Sequence, residues 1–200
     1  MKAPKDKSLD GKKAVNEVNS NARNFTGEQA GAGDRLLKYK AHSEITLHVP
    51  DLQLNKESTP ASGTEEAPTV IANEKDTELT YRLKIKNNDT VLAARDINVE
   101  DVIPEGLEVN KDDIRITSAA LKLNNVPLSS ATGVGLTQSG QKLSFNVTLP
   151  KDAEMTISIP TKLKDKTIKT TVLKNTAKIT KAEDIDLDVN SNTTYHKTIR

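Results

Sequence analysis

The chain carries a lysine, an aspartate and an asparagine that each fall on the apolar face of a predicted strand. Side chains of a strand alternate between two faces, so residues two positions apart share a face. Lys56 follows two leucines at this spacing, Asp101 follows an isoleucine and a valine, and Asn175 lies between a leucine and an alanine. A buried lysine or aspartate is costly unless it is paired or neutralised. These three residues are therefore the first candidates for chemistry.

Together, these three residue types allow an amide bond to form between two side chains. Burial lowers the pKa of a lysine, and the deprotonated amine is a nucleophile. Burial also raises the pKa of a carboxyl group, which then keeps its proton and polarises a neighbouring amide carbonyl. We expect Lys56 to attack the side-chain carbonyl of Asn175 and expel ammonia, with Asp101 promoting the reaction. Strand alternation leaves an alternative open, in which Lys56 and Asp101 form a buried ion pair beside a hydrogen-bonded asparagine, or the lysine reaches the sheet edge.

Period-two alternation of apolar and polar residues dominates the chain beyond residue 50. It predicts strands over residues 51–57, 79–85, 96–102, 114–124, 143–149, 155–163, 171–180 and 184–190. Turn-forming segments rich in Gly, Pro, Asn and Asp separate them, and no segment of useful length holds a helical period. We therefore predict an all-β fold, with an immunoglobulin-like β-sandwich over residues 50–200.

The N-terminal quarter of the chain differs from the rest in its pattern of polar and apolar residues. Residues 1–33 are polar without a sustained period, and we expect them to be poorly ordered, with one or two strands between residues 34 and 49. Two segments of the chain resemble each other. One runs from Lys13 to Tyr39, the other runs from Lys56 to Tyr81, and both end in Asp-x-x-Leu-x-Tyr. The predicted domains are therefore residues 1–49, a truncated preceding repeat or flexible leader, and residues 50–200, a complete β-sandwich repeat; chance similarity is the alternative.

Composition excludes several classes of function. The 29 basic and 28 acidic residues give a net charge of +1, which removes the electrostatic reason to expect a nucleic-acid or membrane partner. The absence of cysteine excludes disulfides, thiolate metal sites and cysteine nucleophiles. No apolar stretch is long enough to span a membrane. We expect no turnover enzyme and no cofactor.

Metal binding is not expected either. The aspartates of residues 184–188 alternate with apolar residues but lack the glycine and glutamate of a calcium loop, so they are predicted to form a solvated face. His42, His48 and His196 have no spacing that implies zinc, and we predict surface positions for all three.

Four segments in series carry a family resemblance: DLQLNK at residues 51–56, DTELTYRLKIKN at 76–87, INVEDVIPEGL at 97–107 and NTAKIT at 175–180. They resemble the conserved repeat domain of Gram-positive surface proteins and the related isopeptide-forming domains of fimbrial (pilin) subunits, over residues 50 to about 197. In isopeptide-forming members, a lysine of the first strand, an aspartate before an Ile-Pro element and the asparagine of an Asn-x-Ala strand carry the bond. The matching residues are Lys56, Asp101 and Asn175.

The resemblance implies a structural stalk or spacer module of a bacterial cell-surface adhesin or pilus-like protein. The implied location is the cell surface or cell wall, and the implied partners are neighbouring repeats of the same protein. An adhesive module that recognises a host matrix protein or a glycan through loops at the sandwich end is the alternative. The chain has neither a signal peptide nor a sorting motif, so we expect it to be part of a longer exported protein.

Overall fold

The computed structural model describes residues 10–24, 35–46, 48–164 and 170–199. The described residues form β-strands, turns and two short 3-10 helices, which confirms the all-β prediction. The chain divides into two compact units, Met1–Val49 and Pro50–Arg200.

The first unit contains an antiparallel pair, β1 (Lys13–Asn24) and β2 (Arg35–Thr46). On one face of the pair, Lys40 forms a salt bridge with Glu17 at 3.0 Å. The segment predicted to be poorly ordered lies largely outside the described residues, and its described part includes β1. The sequence of β1 does not alternate between apolar and polar residues, because it consists mainly of small and polar residues.

The proposed similarity between the two repeat openings does not extend to strand register. Tyr39 lies opposite Ser20, seven residues beyond Lys13, whereas Tyr81 lies opposite Ser58, two residues beyond Lys56. The assignment of residues 1–49 to a preceding repeat stays a prediction.

The second unit contains fourteen strands within its described residues. They are β3 (Leu52–Thr59), β4 (Thr69–Ala72), β5 (Glu78–Asn87), β6 (Ala94–Val102), β7 (Leu107–Val109), β8 (Arg115–Ser118), β9 (Leu123–Pro127), β10 (Val134–Ser139), β11 (Lys142–Leu149), β12 (Glu154–Leu163), β13 (Thr171–Asn175), β14 (Ala177–Ala182), β15 (Ile185–Asn190) and β16 (Thr194–Ile199). The 3-10 helices are Lys111–Asp113 and Leu128–Ser130.

Three sheets organise these strands. One has the order β3-β5-β12-β8-β9, with β7 also paired to β12, and a second has the order β10-β11-β6-β14-β15. A smaller sheet has the order β13-β16-β4, in which β16 and β4 are parallel. Alternate residues of the inner strands β5, β6, β11 and β12 are buried and form a mainly aliphatic core, as expected for a sandwich with one inward face per sheet.

Most predicted strands are present, and the differences have local causes. The predicted strand at 114–124 is two strands joined by a turn at Lys122, whose backbone has a positive φ of 56°. The predicted strand at 171–180 is interrupted at Thr176, which separates β13 in the small sheet from β14 in the five-stranded sheet. One turn between strands follows Pro104, where Gly106 has a φ of 94° and the Leu107 N–H donates to the Pro104 carbonyl at 3.2 Å.

Candidate cross-linking site

The three candidate residues lie in the core, on strands that belong to three different sheets. Lys56 lies in the middle of β3, Asp101 near the end of β6, and Asn175 is the last residue of β13. Their exposed fractions are 2 %, 0 % and 2 %. The inward orientation that alternation predicted for each of them is therefore confirmed.

Lys56 and Asp101 form a buried pair. The Lys56 Nζ lies 2.5 Å from Asp101 Oδ2, and both side chains are wholly inaccessible to solvent. Burial lowers the pKa of Lys56 to about 8, because its effect outweighs the attraction of Asp101, which acts in the opposite direction. Burial likewise raises the pKa of Asp101 against the effect of the nearby lysine. Both shifts favour a neutral amine beside a protonated carboxyl group.

Asn175 completes the cluster. The register of β14 on β6 places Ala177 opposite Asp101, so Asn175 lies two residues from the partner of Asp101. The amide is close enough to Asp101 and Tyr81 to favour the ionised form of both groups. Within the described residues, however, neither its oxygen nor its nitrogen has a hydrogen-bond partner of acceptable geometry, and neither does Asp101 Oδ1. Among the described residues, these three atoms and the Tyr81 hydroxyl oxygen are thus buried without a hydrogen-bond partner beside one ion pair.

Tyr81 encloses the amine from one side and was not identified from the sequence as a site residue. Its ring centroid lies 4.8 Å from Lys56 Nζ, and the residue is fully buried. Burial, followed by the effect of Asp101, raises the pKa of the Tyr81 hydroxyl, which therefore stays protonated. The sequence carried no signal for this role, because only the register of β3 on β5 places Tyr81 opposite Ser58, two residues from Lys56.

His196 borders the same region, and the predicted surface position is wrong for this residue. It is fully buried on β16, whereas His42 and His48 are exposed as predicted. Its Nε2 lies 3.0 Å from the Pro60 carbonyl, which only accepts, so Nε2 carries the proton. Burial lowers the pKa of His196, which favours the neutral ring. The error arises because the inward residues of β16 are all polar.

The described residues contain neither a metal-binding cluster nor a membrane-spanning helix. No group of three or more His, Asp or Glu residues among them is arranged to hold a metal ion. Asp188 instead pairs with Lys178 at 3.0 Å on an exposed face. In the same part of the chain, no helix is long and apolar enough to cross a membrane.

Comparison with known proteins finds similarity in structure but not in sequence. No family model matches the chain, and no curated protein matches it in sequence. The major pilin subunit BcpA of Bacillus cereus matches with a TM-score of 0.52 and 16 % identity, over 90 % of this chain and 48 % of the pilin. The chain therefore spans about half the length of that subunit.

Two further solved structures are similar. The N-terminal domain of a Streptococcus gordonii adhesin matches with a TM-score of 0.56 and 14 % identity, over 84 % of this chain and 39 % of the solved domain. The pilus backbone protein RrgB of Streptococcus pneumoniae matches with a TM-score of 0.50 and 17 % identity, over 67 % of this chain and 53 % of the backbone protein. The chain has the fold of pilin and adhesin domains of Gram-positive surface proteins, as the resemblance of its four sequence segments predicted.

Proposed function

We propose that this protein is a structural module of a bacterial surface pilus or adhesin, and that it cross-links itself through an isopeptide bond between Lys56 and Asn175. The observation that carries the proposal is the fully buried pair of Lys56 and Asp101 beside an asparagine amide whose oxygen and nitrogen lack hydrogen-bond partners among the described residues. The similarity in fold to pilin and adhesin structures supports the structural role.

The reaction uses only groups that the chain supplies. A proton moves from Lys56 Nζ to Asp101, which leaves a neutral amine and a protonated carboxyl group. The carboxyl group polarises the Asn175 carbonyl, and the amine attacks the carbonyl carbon. The new bond joins Lys56 Nζ to Asn175 Cγ, and the bond from Cγ to Nδ2 breaks. Asp101 relays a proton from the attacking nitrogen to Nδ2, and ammonia leaves. Asp101 ends as a protonated carboxyl group, because it keeps the equivalent of the proton that it took from the lysine ammonium.

The unsatisfied atoms favour this reaction over a purely structural ion pair. A buried ion pair is tolerated when additional hydrogen bonds satisfy its remaining polar atoms. Here Asp101 Oδ1 and both polar atoms of the Asn175 amide lack such bonds among the described residues. Each unsatisfied buried group costs about 1–3 kcal/mol. Bond formation removes the Asn175 nitrogen from the site as ammonia, and it converts a buried cation into a neutral amide.

The positions of the two joined residues suit a module that bears load. The bond would link β3, in one large sheet, to β13, in the small sheet, and it would close a loop of 120 residues counted from Lys56 to Asn175 inclusive. Tension applied to the two ends of the second unit would then pass through the bond rather than through the strands within the loop. This arrangement fits a stalk whose neighbours are further repeats of the same surface protein.

Force spectroscopy of the full chain tests the mechanical role. When the chain is pulled from its ends, we expect no extension of residues 56–175, because the cross-link excludes them from the load path. Released residues extend by about 3.6 Å each, so an open loop of this size would add roughly 430 Å. The Asp101→Ala chain should show this added length. A wild-type chain that releases the full length would contradict the proposed role.

An adhesive role has less support from the structure. Interface hot spots are enriched in aromatic residues and arginine. In the second unit, Tyr81 and Phe145 are fully buried, which leaves Tyr195 as the aromatic residue with partial exposure. Binding of a host matrix protein or a glycan by the isolated chain would favour the adhesive alternative.

A further inference from the structure

The free edge of β3 is held at Lys56 by a side chain from a distant part of the sequence. Among the described strands, β3 pairs only with β5 and therefore forms an edge of its sheet. The backbone N–H of Lys56 donates to Asn192 Oδ1 at 2.8 Å, and Asn192 Nδ2 donates to the Lys56 carbonyl at 2.8 Å. One asparagine amide thus provides the donor and the acceptor that a neighbouring strand would provide.

The short connection that carries Asn192 also binds the strand segment around Asn175. It links β15 to β16, and the Ser191 N–H donates to the Ala177 carbonyl at 2.9 Å while Ser191 Oγ accepts from the Ala177 N–H at 2.9 Å. Thr194, the first residue of β16, donates through Oγ1 to the backbone carbonyl of Asn175 at 3.3 Å. Within residues 191–194, Asn192 therefore contacts the backbone of Lys56, and Thr194 contacts the backbone of Asn175.

This arrangement sets the distance between two strands that belong to different sheets. No ladder of backbone hydrogen bonds joins β3 to β13 among the described strands, so their separation depends on contacts of another kind. Attack by the amine requires that the reacting atoms approach within about 3–3.5 Å, and a displacement of about 1 Å lowers such rates by roughly 100-fold. A lysine side chain has several rotatable bonds, so a fixed backbone removes one source of displacement.

We propose that Asn192 is a positioning residue for the cross-linking reaction, because its side-chain amide fixes the backbone of Lys56 relative to the Asn175 strand. The inference rests on the proposed Lys56–Asn175 bond. Asn192 touches none of the reacting atoms and acts through the position of Lys56. Its effect should therefore appear in the rate of cross-linking and not in the chemistry of the product.

The test follows cross-linking during synthesis of the full chain. The wild type, Asn192→Ala and Asn190→Ala are made by cell-free translation, samples are quenched in acidic urea, and intact mass gives the fraction that has lost about 17 Da as ammonia. We expect Asn192→Ala to react at least about 10-fold more slowly than the wild type. Asn190→Ala is the matched control, because the Asn190 amide donates to the exposed Asp188 side chain and lies outside the cluster, so its rate should equal that of the wild type.

Two further measurements separate positioning from general stability. The same substitutions in an Asn175→Ala background, which cannot cross-link, show how far each lowers the free energy of unfolding. Asn192→Asp keeps the acceptor for the Lys56 N–H and loses the donor to the Lys56 carbonyl, so it provides a milder variant that should also react slowly.

The outcomes are distinct. In one outcome, Asn192→Ala or Asn192→Asp lowers stability in the Asn175→Ala background but cross-links at the wild-type rate in the full-length chain that retains Asn175. This outcome overturns the positioning role while the bond itself stands. A wild-type chain that keeps its full mass overturns the bond and, with it, any role for Asn192 in forming it.

Discussion

Replacement of Asp101 by alanine is expected to prevent the cross-link and to remove most of the stability of the second unit. The lost bond closes a loop of 120 residues, from Lys56 to Asn175 inclusive, and a chain-entropy treatment of such a loop gives about 5 kcal/mol. The substitution also leaves the wholly inaccessible Lys56 amine without its partner. Breaking a buried pair in this way typically costs about 3–5 kcal/mol more. The combined loss is comparable with the whole stability of an ordinary domain, about 5–15 kcal/mol.

Chemical denaturation of the purified variants measures this loss, and Glu100→Ala is the matched control. Glu100 precedes Asp101 on the same strand, but its side chain is partly exposed and pairs with Lys142 at 2.9 Å. Surface pairs of this kind contribute about 0–1 kcal/mol. Glu100→Ala should therefore retain both the cross-link and nearly all of the stability. Equal stability of the Asp101→Ala and wild-type chains would show that neither the bond nor the buried pair has the proposed role.

The second large effect is a difference in pH dependence between the wild type and Asn175→Ala. The variant cannot cross-link, so Lys56 stays an amine, and its pKa is lowered by burial to about 8 from its usual value of 10.5. Between these two values the unfolded chain binds a proton that the folded chain does not bind, so stability rises with pH across this window. Below pH 8 both states bind the proton, and the contribution is constant.

The expected gain is about 3 kcal/mol for Asn175→Ala between pH 8 and pH 10.5, because each pKa unit corresponds to about 1.4 kcal/mol. In the cross-linked wild type the lysine nitrogen is an amide and does not titrate, so this gain should be absent. Denaturation series at several pH values measure both chains, and all other titrating groups are common to the two. The same gain in the wild type would mean that Lys56 is still a free amine there.

Much of the fold follows from the sequence because its largest strands are amphipathic in a simple way. In β5 and β12, apolar residues alternate with polar ones over most of ten residues each, and the buried positions are apolar except for Asn87 and Thr161. The strands β4, β7 and β10 escaped prediction since they are short or carry few apolar residues. β16 escaped for a different reason: its buried residues are Thr194, His196 and Thr198, so the inward face has no hydrophobic signal.

The candidate site was accessible to the same reasoning because each of its three residues interrupts an apolar face. Lys56, Asp101 and Asn175 were therefore identifiable without knowledge of how the strands pair. Asn192 was not, because its role depends on a contact with Lys56 across 136 positions of sequence and on an exposed residue in a connection. From the sequence, Tyr81 cannot be distinguished from an ordinary core residue, because only the register of β3 on β5 places it beside the amine.

The mass of the intact wild-type protein tests the central proposal most directly. Formation of the Lys56–Asn175 bond should leave the folded chain about 17 Da lighter than its sequence mass, since one molecule of ammonia is lost. The Asp101→Ala chain should keep its full mass apart from the substitution, although Lys56 and Asn175 are both present. Tandem mass spectrometry of a digest should then find peptides from β3 and β13 joined in one ion. A folded wild-type chain at its full sequence mass, with no joined peptides, would contradict the proposed cross-link.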